Sequence, residues 1–442
     1  MNKDTKCLVL GGGIAGVTTA IGLKKLGFSV TLLYKKRPFS SYEGFSQKTK
    51  EGLLSSGCTQ AASLLQEKSL RNSKWASVEK KVNYEYVVSR SDLDATLLLD
   101  AKEVGVETLE ANAVGSIDCS AEKAEVFYKS AEEKSLFRAD FVVDARGRFT
   151  PFKEEYVCGV KSFSILQELE FEEIQEKKTS ISSTKDGWIW QAAVGEKRGY
   201  IQFTCDESKA LTIKNFEELL IALKEQNEDL WSLQNAKPVN KIVTRDAYSK
   251  VHKEIVNDKM ILVGDAASSI DPLSGNGAFQ AMSMSSVAPF VINTILHANQ
   301  EAKECAMAFY KERVNYIYEK FAKVGRDFYK LETRYETPFW QKRRSWPQEQ
   351  TSELKNLPKI EQKAVVKVPF IHTQEVVITK DNPMGVCFYG PLNIVKLAKY
   401  CLENRGKDVL NYFNDFALSN HLRAEQVERL KKWLISQDIL YA

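Results

Sequence analysis

Three glycines near the N-terminus have the residue type and the spacing, G-x-G-x-x-G, that bind the pyrophosphate of a dinucleotide. They are Gly11, Gly13 and Gly16, with Ile14 and Ala15 between the last two. The first glycine allows a tight turn, the second lets a pyrophosphate approach the backbone, and the third lets a helix pack closely on a strand. Phosphates placed there would be stabilised by the unpaired N–H groups and the dipole of a helix N-terminus.

The elements that must position these glycines are also visible in the sequence. An apolar run at 7–10 predicts a buried parallel strand, and residues 14–26 carry apolar side chains at helical spacing. Residues 29–33 are apolar and β-branched and predict a second strand. The resulting strand–turn–helix–strand order is the context in which this glycine pattern binds a dinucleotide.

The end of the second predicted strand departs from the usual pattern. A carboxylate is expected there, about 20 residues after the glycines, to bind the ribose hydroxyls of the adenosine. Tyr34 occupies this position and Lys35 follows it. Two interpretations stay open: Tyr34 or a basic neighbour such as Lys35 contacts the adenosine end, or the ribose contact is absent and the cofactor binds more weakly.

A second glycine-rich segment follows another apolar strand much later in the chain. Residues 260–263 predict the strand, and a helix-like run begins after residue 277. The motif residues between them are Gly264, Asp265, Pro272, Gly275, Asn276 and Gly277.

This second segment resembles the flavin-contacting segment of FAD monooxygenases of the p-hydroxybenzoate hydroxylase type and of their relatives, the flavin-dependent tryptophan halogenases. The resemblance implies that Asp265 binds the ribityl chain of FAD. It also implies that Gly275, Asn276 and Gly277 place N–H groups and a helix N-terminus at the pyrimidine end of the flavin ring. Reduced flavin is negatively charged there, and such donors stabilise that charge.

Two shorter segments fit the same family. Residues 87–93 resemble its strand-Arg-x-x-Leu segment, which implies that Arg90 lies near the flavin or its pyrophosphate. The alternative is an arginine in the first turn of a helix. Residues 141–148 resemble a D-x-x-G strand end that borders FAD and a passing nicotinamide cofactor, or else form a plain strand-to-turn sequence. The matches cover residues 6 to 290 in the family's order.

The resemblance implies an α/β fold with a discontinuous domain organisation. Residues 1–160 and 245–330 are expected to form a Rossmann-like FAD-binding domain. Residues 161–244 are expected to form an inserted mixed or antiparallel sheet of the substrate domain, because they contain alternating apolar positions. Residues 335–442, which are punctuated by prolines, are expected to form a mainly helical C-terminal domain.

Composition and charge exclude several other classes of protein. No run approaches the ~18 apolar residues of a membrane span, so no membrane association is expected. The net charge is +4, without a compact basic cluster among stacking aromatics, so nucleic acid is not an expected partner. The eight cysteines form no C-x-x-C pair, so neither a metal site nor a redox dithiol is predicted. Without an export signal, we expect reduced thiols in a cytoplasmic protein.

One tryptophan pair bears on the substrate. Trp188 and Trp190 resemble the first part of the halogenase signature W-x-W-x-I-P, but residues 191–193 are Gln-Ala-Ala, so the final Ile-Pro is missing. The alternative is two tryptophans on one face of a strand. A closer resemblance, carried by residues 42–46 before 51–53 and by the long C-terminal region, is to flavoproteins that modify a tryptophan of a partner protein during tryptophylquinone formation.

That resemblance implies hydroxylation of a peptidyl tryptophan in a precursor oxidase or dehydrogenase. FAD would be the cofactor, NAD(P)H or another reductant the electron donor, and O2 the co-substrate. The alternatives left open are a halogenase or hydroxylase of small aromatics, a flavin-dependent dehydrogenase, and a non-catalytic flavin-containing maturation chaperone. No catalytic residue and no oligomeric state is predicted; among the four histidines only His372 is a candidate for testing.

Overall fold

The computed structural model describes residues 4–130, 133–150, 155–226, 230–233, 236–348, 357–404 and 409–440. The chain divides into two compact units. The first unit comprises Met1–Asn293 and Tyr310–Gln348, and the second comprises Thr294–Phe309 and Glu349–Ala442. The sequence-based division began the C-terminal domain at residue 335. In the structure the residues up to Gln348 cluster with the first unit, where Trp340 is part of a hydrophobic core.

The strands are β1 (Lys6–Leu10), β2 (Ser29–Tyr34), β3 (Tyr42–Phe45), β4 (Ser69–Trp75), β5 (Val78–Ser89), β6 (Glu107–Glu110), β7 (Ala113–Asp118), β8 (Ala124–Ser130), β9 (Glu133–Ala139), β10 (Phe141–Asp144), β11 (Tyr156–Cys158), β12 (Phe163–Phe171), β13 (Lys178–Thr184), β14 (Gly187–Gly195), β15 (Arg198–Cys205), β16 (Ala236–Pro238), β17 (Val243–Asp246), β18 (Lys250–His252), β19 (Met260–Leu262), β20 (Ser268–Ser269), β21 (Lys359–Lys367), β22 (Phe370–Ile378), β23 (Phe388–Tyr389) and β24 (Leu392–Asn393).

The α-helices are α1 (Ile14–Lys25), α2 (Gln47–Ser56), α3 (Thr59–Ser63), α4 (Arg90–Glu103), α5 (Glu207–Thr212), α6 (Phe216–Lys224), α7 (Gly277–Ser285), α8 (Ala288–His297), α9 (Gln300–Leu331), α10 (Pro338–Ser345), α11 (Val395–Glu403), α12 (Val409–Ser419) and α13 (Ala424–Ser436).

A five-stranded parallel sheet in the order β19-β10-β1-β2-β6 forms the Rossmann-like part of the first unit, as predicted. Its strands are short apolar runs, and residues 7–10 of β1 are fully buried, as expected for a parallel sheet covered on both faces. Leu10 pairs with Asp144, and Asp144 pairs with Leu262. The loops after β1, β10 and β19 therefore meet at one sheet edge, where α/β proteins bind their ligands.

A nine-stranded mixed sheet forms the second layer of the first unit. Its order is β16-β12-β15-β14-β13-β4-β5-β3, with β17 also paired to β12, and only the β13–β4 pair is parallel. The inserted segment contributes six of these strands. The other three, β3 to β5, come from residues 42–89, which the sequence-based division counted with the FAD-binding domain.

The nine-stranded sheet carries a hydrophobic core on each face because successive side chains of a strand point in opposite directions. Ile189 packs with Ile201, Phe203 and residues of α5 and α6 on one face. Its neighbours Trp188 and Trp190 point to the other face. The alternating side chains predicted for residues 187–193 are therefore buried on both faces of the sheet.

The second unit combines helices with a β-hairpin. Strands β21 and β22 pair antiparallel along nine residues each. The core of this unit contains Val376, Leu397, Phe413, Leu430 and neighbouring apolar residues from β22 and from α11 to α13. The C-terminal region is thus largely helical, as predicted. The hairpin was not predicted, and each of its strands begins directly after a proline, Pro358 or Pro369.

Three further expectations can be compared with the described residues. One helical stretch, Gly277–His297, is long and apolar enough to cross a membrane by composition, but 67% of it is buried, and core helices pass the same test. All eight cysteines are free thiols. The part of the chain that the structure describes contains no group of three or more His, Cys, Asp or Glu side chains placed to hold a metal ion.

A buried carboxylate links the end of α9 to strand residues of the first unit. Glu332 has no exposed side-chain surface, and it accepts hydrogen bonds from Arg334 at 2.7 Å and from the Ser183 hydroxyl at 2.5 Å. The Ala76 N–H donates to the same carboxylate at 2.9 Å. Burial by itself raises the pKa of Glu332, but these donors outweigh it and lower the pKa to about 2.

We expect Glu332→Gln to lower the free energy of unfolding by about 2 kcal/mol near neutral pH. The carboxyl pKa falls from 4.5 to about 2 on folding, so the stabilisation is present above about pH 4.5 and is lost as the pH falls towards 2. Urea unfolding at several pH values should show the gap between variant and wild type narrowing in acid. Glu336→Gln is the control: Glu336 is exposed and paired with an arginine, so we expect no measurable change in stability. Equal stability of the wild type and Glu332→Gln at neutral pH would contradict the prediction.

Candidate functional site

The loop after β1 and the first turn of α1 each contain one position that has room only for glycine. Gly11 has φ +117°, and a Cβ built on it would lie 2.4 Å from the Ala145 carbonyl oxygen. A Cβ on Gly16 would lie 1.9 Å from the Gly11 carbonyl oxygen. These contacts are too short for real atoms, so the tight turn and the close approach of α1 to β1 both require glycine.

Gly13 has a different environment, because its missing side chain faces open space. It is the N-cap residue of α1, and among the described residues beyond its chain neighbours only Nη2 of Arg90 lies within 4 Å of a Cβ built there, at 3.8 Å. The first turn of α1 contains no acidic residue. Ile14 and Ala15, also predicted at the site, are buried behind the loop as the first residues of α1. The open volume at this helix N-terminus, beside a guanidinium group, suits a phosphate.

The second motif packs directly on the first. Gly264 follows β19 with φ +61°, and a Cβ there would lie 2.7 Å from Cβ of Ala15 and 3.6 Å from Cβ of Ala281. The backbone after β19 therefore passes between α1 and α7 at a distance that only glycine permits. Two segments far apart in the sequence are joined into one site by this close approach.

Asp265 follows Gly264 and is held by an arginine. Nε of Arg148 donates to Oδ2 of Asp265 at 3.1 Å, and Nη1 of Arg148 donates to the Asp246 carbonyl oxygen at 2.6 Å. A Cβ on Gly147 would lie 3.9 Å from Cβ of Asp265, so the D-x-x-G segment after β10 borders this side chain. The Asp265 side chain remains 37% exposed, so its carboxylate can still accept a hydrogen bond from a hydroxyl group of a ligand. Sequence reasoning did not single out Arg148, although it ends the segment quoted for the D-x-x-G pattern.

Arg90 lies in the first turn of α4 and is paired on both sides. Its Nη1 donates to Glu43 at 2.9 Å and its Nη2 to Asp94 at 3.1 Å, while Arg37 binds the same Asp94 at 3.0 Å. Nε of Arg90 is buried without a hydrogen-bond partner. Arg90 begins a helix and its guanidinium group also faces the glycine loop, while its contact with the flavin or the pyrophosphate stays a prediction.

Electrostatics keeps Arg90 and Glu43 charged. Burial alone would lower the pKa of Arg90, but Glu43 and Asp94 outweigh it and raise the pKa. Burial alone would raise the pKa of Glu43, but Arg90, Arg245 and Arg37 outweigh it and lower the pKa. Glu43 and the arginines other than Arg90 were not predicted as site residues, since each becomes part of the cluster only through pairing across elements.

Tyr34, at the carboxylate position of the usual pattern, packs against the glycine loop. A Cβ on Gly12 would lie 2.8 Å from Cβ of Tyr34, so the half-buried tyrosine covers this part of the loop. The side chain of Lys35 is exposed, and the next basic residue, Lys36, pairs with Glu110 at 2.9 Å. The structure places Tyr34 beside the loop and leaves the role of Lys35 at the adenosine end a prediction.

Residues 271–277, which we call the flavin loop after the family segment that they resemble, lead into α7. Pro272 begins a single 3₁₀ turn that ends at Gly275, whose φ is +63°. Asn276 caps α7 and donates from Nδ2 to the Ser274 carbonyl oxygen at 2.7 Å. In the part of the chain that the structure describes, no atom beyond the local backbone lies within 4 Å of a Cβ built on Gly277. Nη1 of Arg71 lies 3.8 Å from a Cβ on Gly275, which adds a cation that the sequence did not indicate.

The tryptophan pair on β14 is buried in the core beside this loop. Trp188 Nε1 donates to the Tyr329 hydroxyl at 3.1 Å, and Trp190 Nε1 donates to Glu85 at 3.1 Å. Both rings pack in the cluster that contains Leu273 of the flavin loop. The two tryptophans therefore lie on one face of a strand, and the hydrogen-bonding capacity of both indole groups is used within the protein.

His372 lies on β22 in the second unit and its side chain is exposed. Its ring is 6.3 Å from that of Phe370 in an edge-on arrangement. This ring contact assigns His372 no chemical role, so His372 stays a candidate for testing.

The assembled residues fit FAD. The open space at Gly13, the acid-free N-terminus of α1 and the unpartnered Nε of Arg90 suit a pyrophosphate. Asp265 offers a carboxylate to hydroxyl groups, and the open space at Gly277 leaves the N-terminus of α7 accessible to a ring system. The two motifs are joined at Gly264 and Ala15, so one extended ligand can contact both.

Comparison with known proteins identifies relatives of this arrangement. The model of the tryptophan halogenase family matches residues 34–370. A tryptophan 2-halogenase from Chondromyces crocatus is 25% identical over 371 residues, which cover 76% of this chain and 70% of that protein.

Two solved structures resemble the chain over nearly its whole length. The peptidyl tryptophan dihydroxylase QhpG, essential for tryptophylquinone cofactor biogenesis, is 28% identical with a TM-score of 0.78 and covers 98% of this chain and 99% of its own. The flavin-dependent halogenase CmlS also has a TM-score of 0.78, at 17% identity, with 99% and 95% of the two chains covered. At that identity the second likeness shows the fold alone.

Proposed function

Because the chain belongs to the tryptophan halogenase family of FAD-dependent oxidoreductases, we propose that it is a monooxygenase that hydroxylates a tryptophan of a partner protein. The partner in this proposal is a precursor oxidase or dehydrogenase, and the modified residue becomes part of a cysteine tryptophylquinone cofactor. FAD is the resident cofactor. NAD(P)H or another reductant as electron donor and O2 as co-substrate belong to the proposal.

One observation carries the choice of substrate. The likeness to the peptidyl tryptophan dihydroxylase combines 28% identity with nearly complete coverage of both chains, including the second unit. The likeness to CmlS reaches the same TM-score at 17% identity, so it supports the shared architecture but not a shared substrate. The tryptophan pair agrees with this choice, because Ala192 and Ala193 stand where the halogenase signature has its final Ile-Pro.

The chain's own residues supply binding, orientation and shielding from water. Gly11, Gly13 and Arg90 would hold the pyrophosphate, and Asp265, fixed by Arg148, would hold the ribityl hydroxyls. When bound and reduced, FAD supplies the electrons that activate O2 for insertion into an aromatic ring. The nine-stranded sheet places an apolar, aromatic layer beside the flavin loop, which would exclude water from the reaction.

Halogenation is the second candidate, since the family model and the tryptophan 2-halogenase relative both favour it. The two reactions need the same cofactor and differ in the atom added to the ring. Hydroxylation adds the mass of one or two oxygen atoms, whereas halogenation replaces a hydrogen atom with chlorine or bromine.

The test is mass spectrometry of a tryptophan-bearing precursor protein co-expressed with the chain in medium that contains chloride and bromide. The Gly13→Ala variant serves as the control that lacks bound cofactor. A gain of one or two oxygen atoms on a tryptophan, absent with the control, supports the proposal. A halogen on that residue assigns the chain to the second candidate. An unmodified precursor beside a yellow, FAD-loaded protein contradicts peptidyl hydroxylation and leaves small aromatics or a maturation chaperone.

A further inference from the structure

A chain of buried hydrogen bonds connects the nine-stranded sheet to the flavin loop. Trp188 Nε1 donates to the Tyr329 hydroxyl oxygen at 3.1 Å, and the Tyr329 hydroxyl donates to Oδ2 of Asp271 at 2.9 Å. All three side chains belong to the first unit, and Trp188 and Tyr329 are each 2% exposed. None of the sequence motifs contains Tyr329, which lies near the end of α9.

The direction of the hydrogen bonds in this series follows from which groups can donate. An indole N–H can only donate, so the tyrosine oxygen must accept from Trp188 and use its single proton towards Asp271. Burial, followed by the neighbouring Asp271, raises the pKa of Tyr329 well above its ordinary range, so the hydroxyl keeps that proton. Burial also raises the pKa of Asp271.

Asp271 also forms hydrogen bonds that hold the backbone of the flavin loop in place. Its Oδ1 accepts the Leu273 N–H at 2.9 Å, and its own N–H donates to the Ser249 hydroxyl at 3.1 Å. Leu273 packs in the same aromatic cluster as Trp188. The turn that leads to the glycines at 275 and 277 is therefore tied at its first residue to a sheet and to a helix.

Helix α9 also approaches Asp271 one helical turn before Tyr329, at Gly325. Residues four apart lie on the same face of a helix, so Gly325 faces the loop together with Tyr329. A Cβ on Gly325 would lie 4.0 Å from Cβ of Asp271, which shows how closely the helix approaches. The Tyr329 ring is further held by edge contacts with Phe339 and Trp340, at 6.0 and 5.8 Å between ring centroids.

We propose that Tyr329 is a positioning residue that couples the tryptophan face of the nine-stranded sheet to the flavin loop and so sets how tightly, and at what reduction potential, FAD is held. This inference rests on the proposed FAD site. The loop N–H groups stabilise charge at the pyrimidine end of reduced flavin only while the loop is held in place. A loosened loop therefore binds FAD more weakly and shifts its midpoint potential to more negative values.

The test is Tyr329→Phe, which keeps the ring contacts and removes only the hydroxyl group. We expect the dissociation constant of FAD, from flavin fluorescence titration of apoprotein, to rise about tenfold. We also expect the midpoint potential to become more negative. Tyr310→Phe is the matched control, because the hydroxyl of this buried tyrosine of the same helix donates to the Leu262 carbonyl oxygen at 2.8 Å, outside residues 271–277.

The outcomes separate this inference from the proposed function. If Tyr329→Phe has the FAD affinity and the midpoint potential of the wild type, the inference is overturned. Equal changes of both quantities in Tyr310→Phe would show that the effect is general destabilisation, and they would overturn the inference as well. Absence of FAD binding by the wild type overturns the cofactor site itself. If Tyr329→Phe does not fold, Trp188→Phe removes the other end of the hydrogen-bond chain and is expected to shift both quantities in the same direction.

Discussion

Replacing Gly13 with alanine is expected to raise the dissociation constant of FAD by about a hundredfold or more while leaving the apoprotein folded. The backbone there has φ −84°, which alanine adopts without strain, and among the described residues other than its chain neighbours the nearest atom to the new Cβ is Nη2 of Arg90, at 3.8 Å. The added methyl group therefore enters the space in which a pyrophosphate would approach the helix N-terminus. The loss is specific to the ligand.

Gly16→Ala is the informative partner of this variant, because its effect arises by a different route. The Cβ would lie 1.9 Å from the Gly11 carbonyl oxygen, so α1 must move away from β1 and both stability and FAD binding should fall. Thermal unfolding of the apoproteins, combined with FAD titration, distinguishes the two variants. Unchanged FAD affinity in Gly13→Ala would show that the pyrophosphate does not lie at the N-terminus of α1.

Asp265→Ala is expected to give the second large effect, a rise of about 10- to 100-fold in the dissociation constant of FAD. The variant removes the carboxylate that the resemblance assigns to the ribityl hydroxyls, and it leaves the guanidinium of Arg148 without its ion-pair partner. Asp265→Asn keeps an oxygen acceptor at the same place, so we expect an intermediate loss. Absorbance of the purified proteins and titration of the apoproteins with FAD measure both.

Arg148→Met serves as the control for the Asp265 variants. It removes the ion pair but keeps the carboxylate, so the loss of FAD affinity should be smaller than in Asp265→Ala if the carboxylate itself binds the cofactor. Full retention of FAD by Asp265→Ala would remove Asp265 from the site. A larger loss in Arg148→Met than in Asp265→Ala would transfer the main role to the arginine.

Local patterns were sufficient to predict the parts of the site whose chemistry depends on the backbone. The glycines at 11, 13 and 16 must accommodate a turn, a ligand and a packed helix within one short loop, and only one residue type does so. The same holds for Gly264 and Gly275, both of which have positive φ. Buried parallel strands read as continuous apolar runs, so the strand–loop–helix frame around each motif could also be predicted.

Side-chain partners could not be predicted in this way, because they come from elements that are distant in sequence. Arg148 and Asp265 are hydrogen-bonded although they lie 117 positions apart in the sequence, and Tyr329 and Trp188 are hydrogen-bonded 141 positions apart. A single arginine or tyrosine in a helix or loop carries no local signal of such a partner. The same limit applies to strands β3 to β5, whose place beside the inserted strands depends on the β4–β13 pairing.

The amino-acid sequence by itself determined the two glycine-containing loops and the α/β frame, since these follow from steric limits within a few residues. The resemblance of its motifs to a known family implied FAD as the cofactor. Only the tertiary structure decided which charged and aromatic side chains surround those loops. The physical reason is that burial of a charge or an indole N–H requires a partner, and that partner is supplied by whichever element packs there.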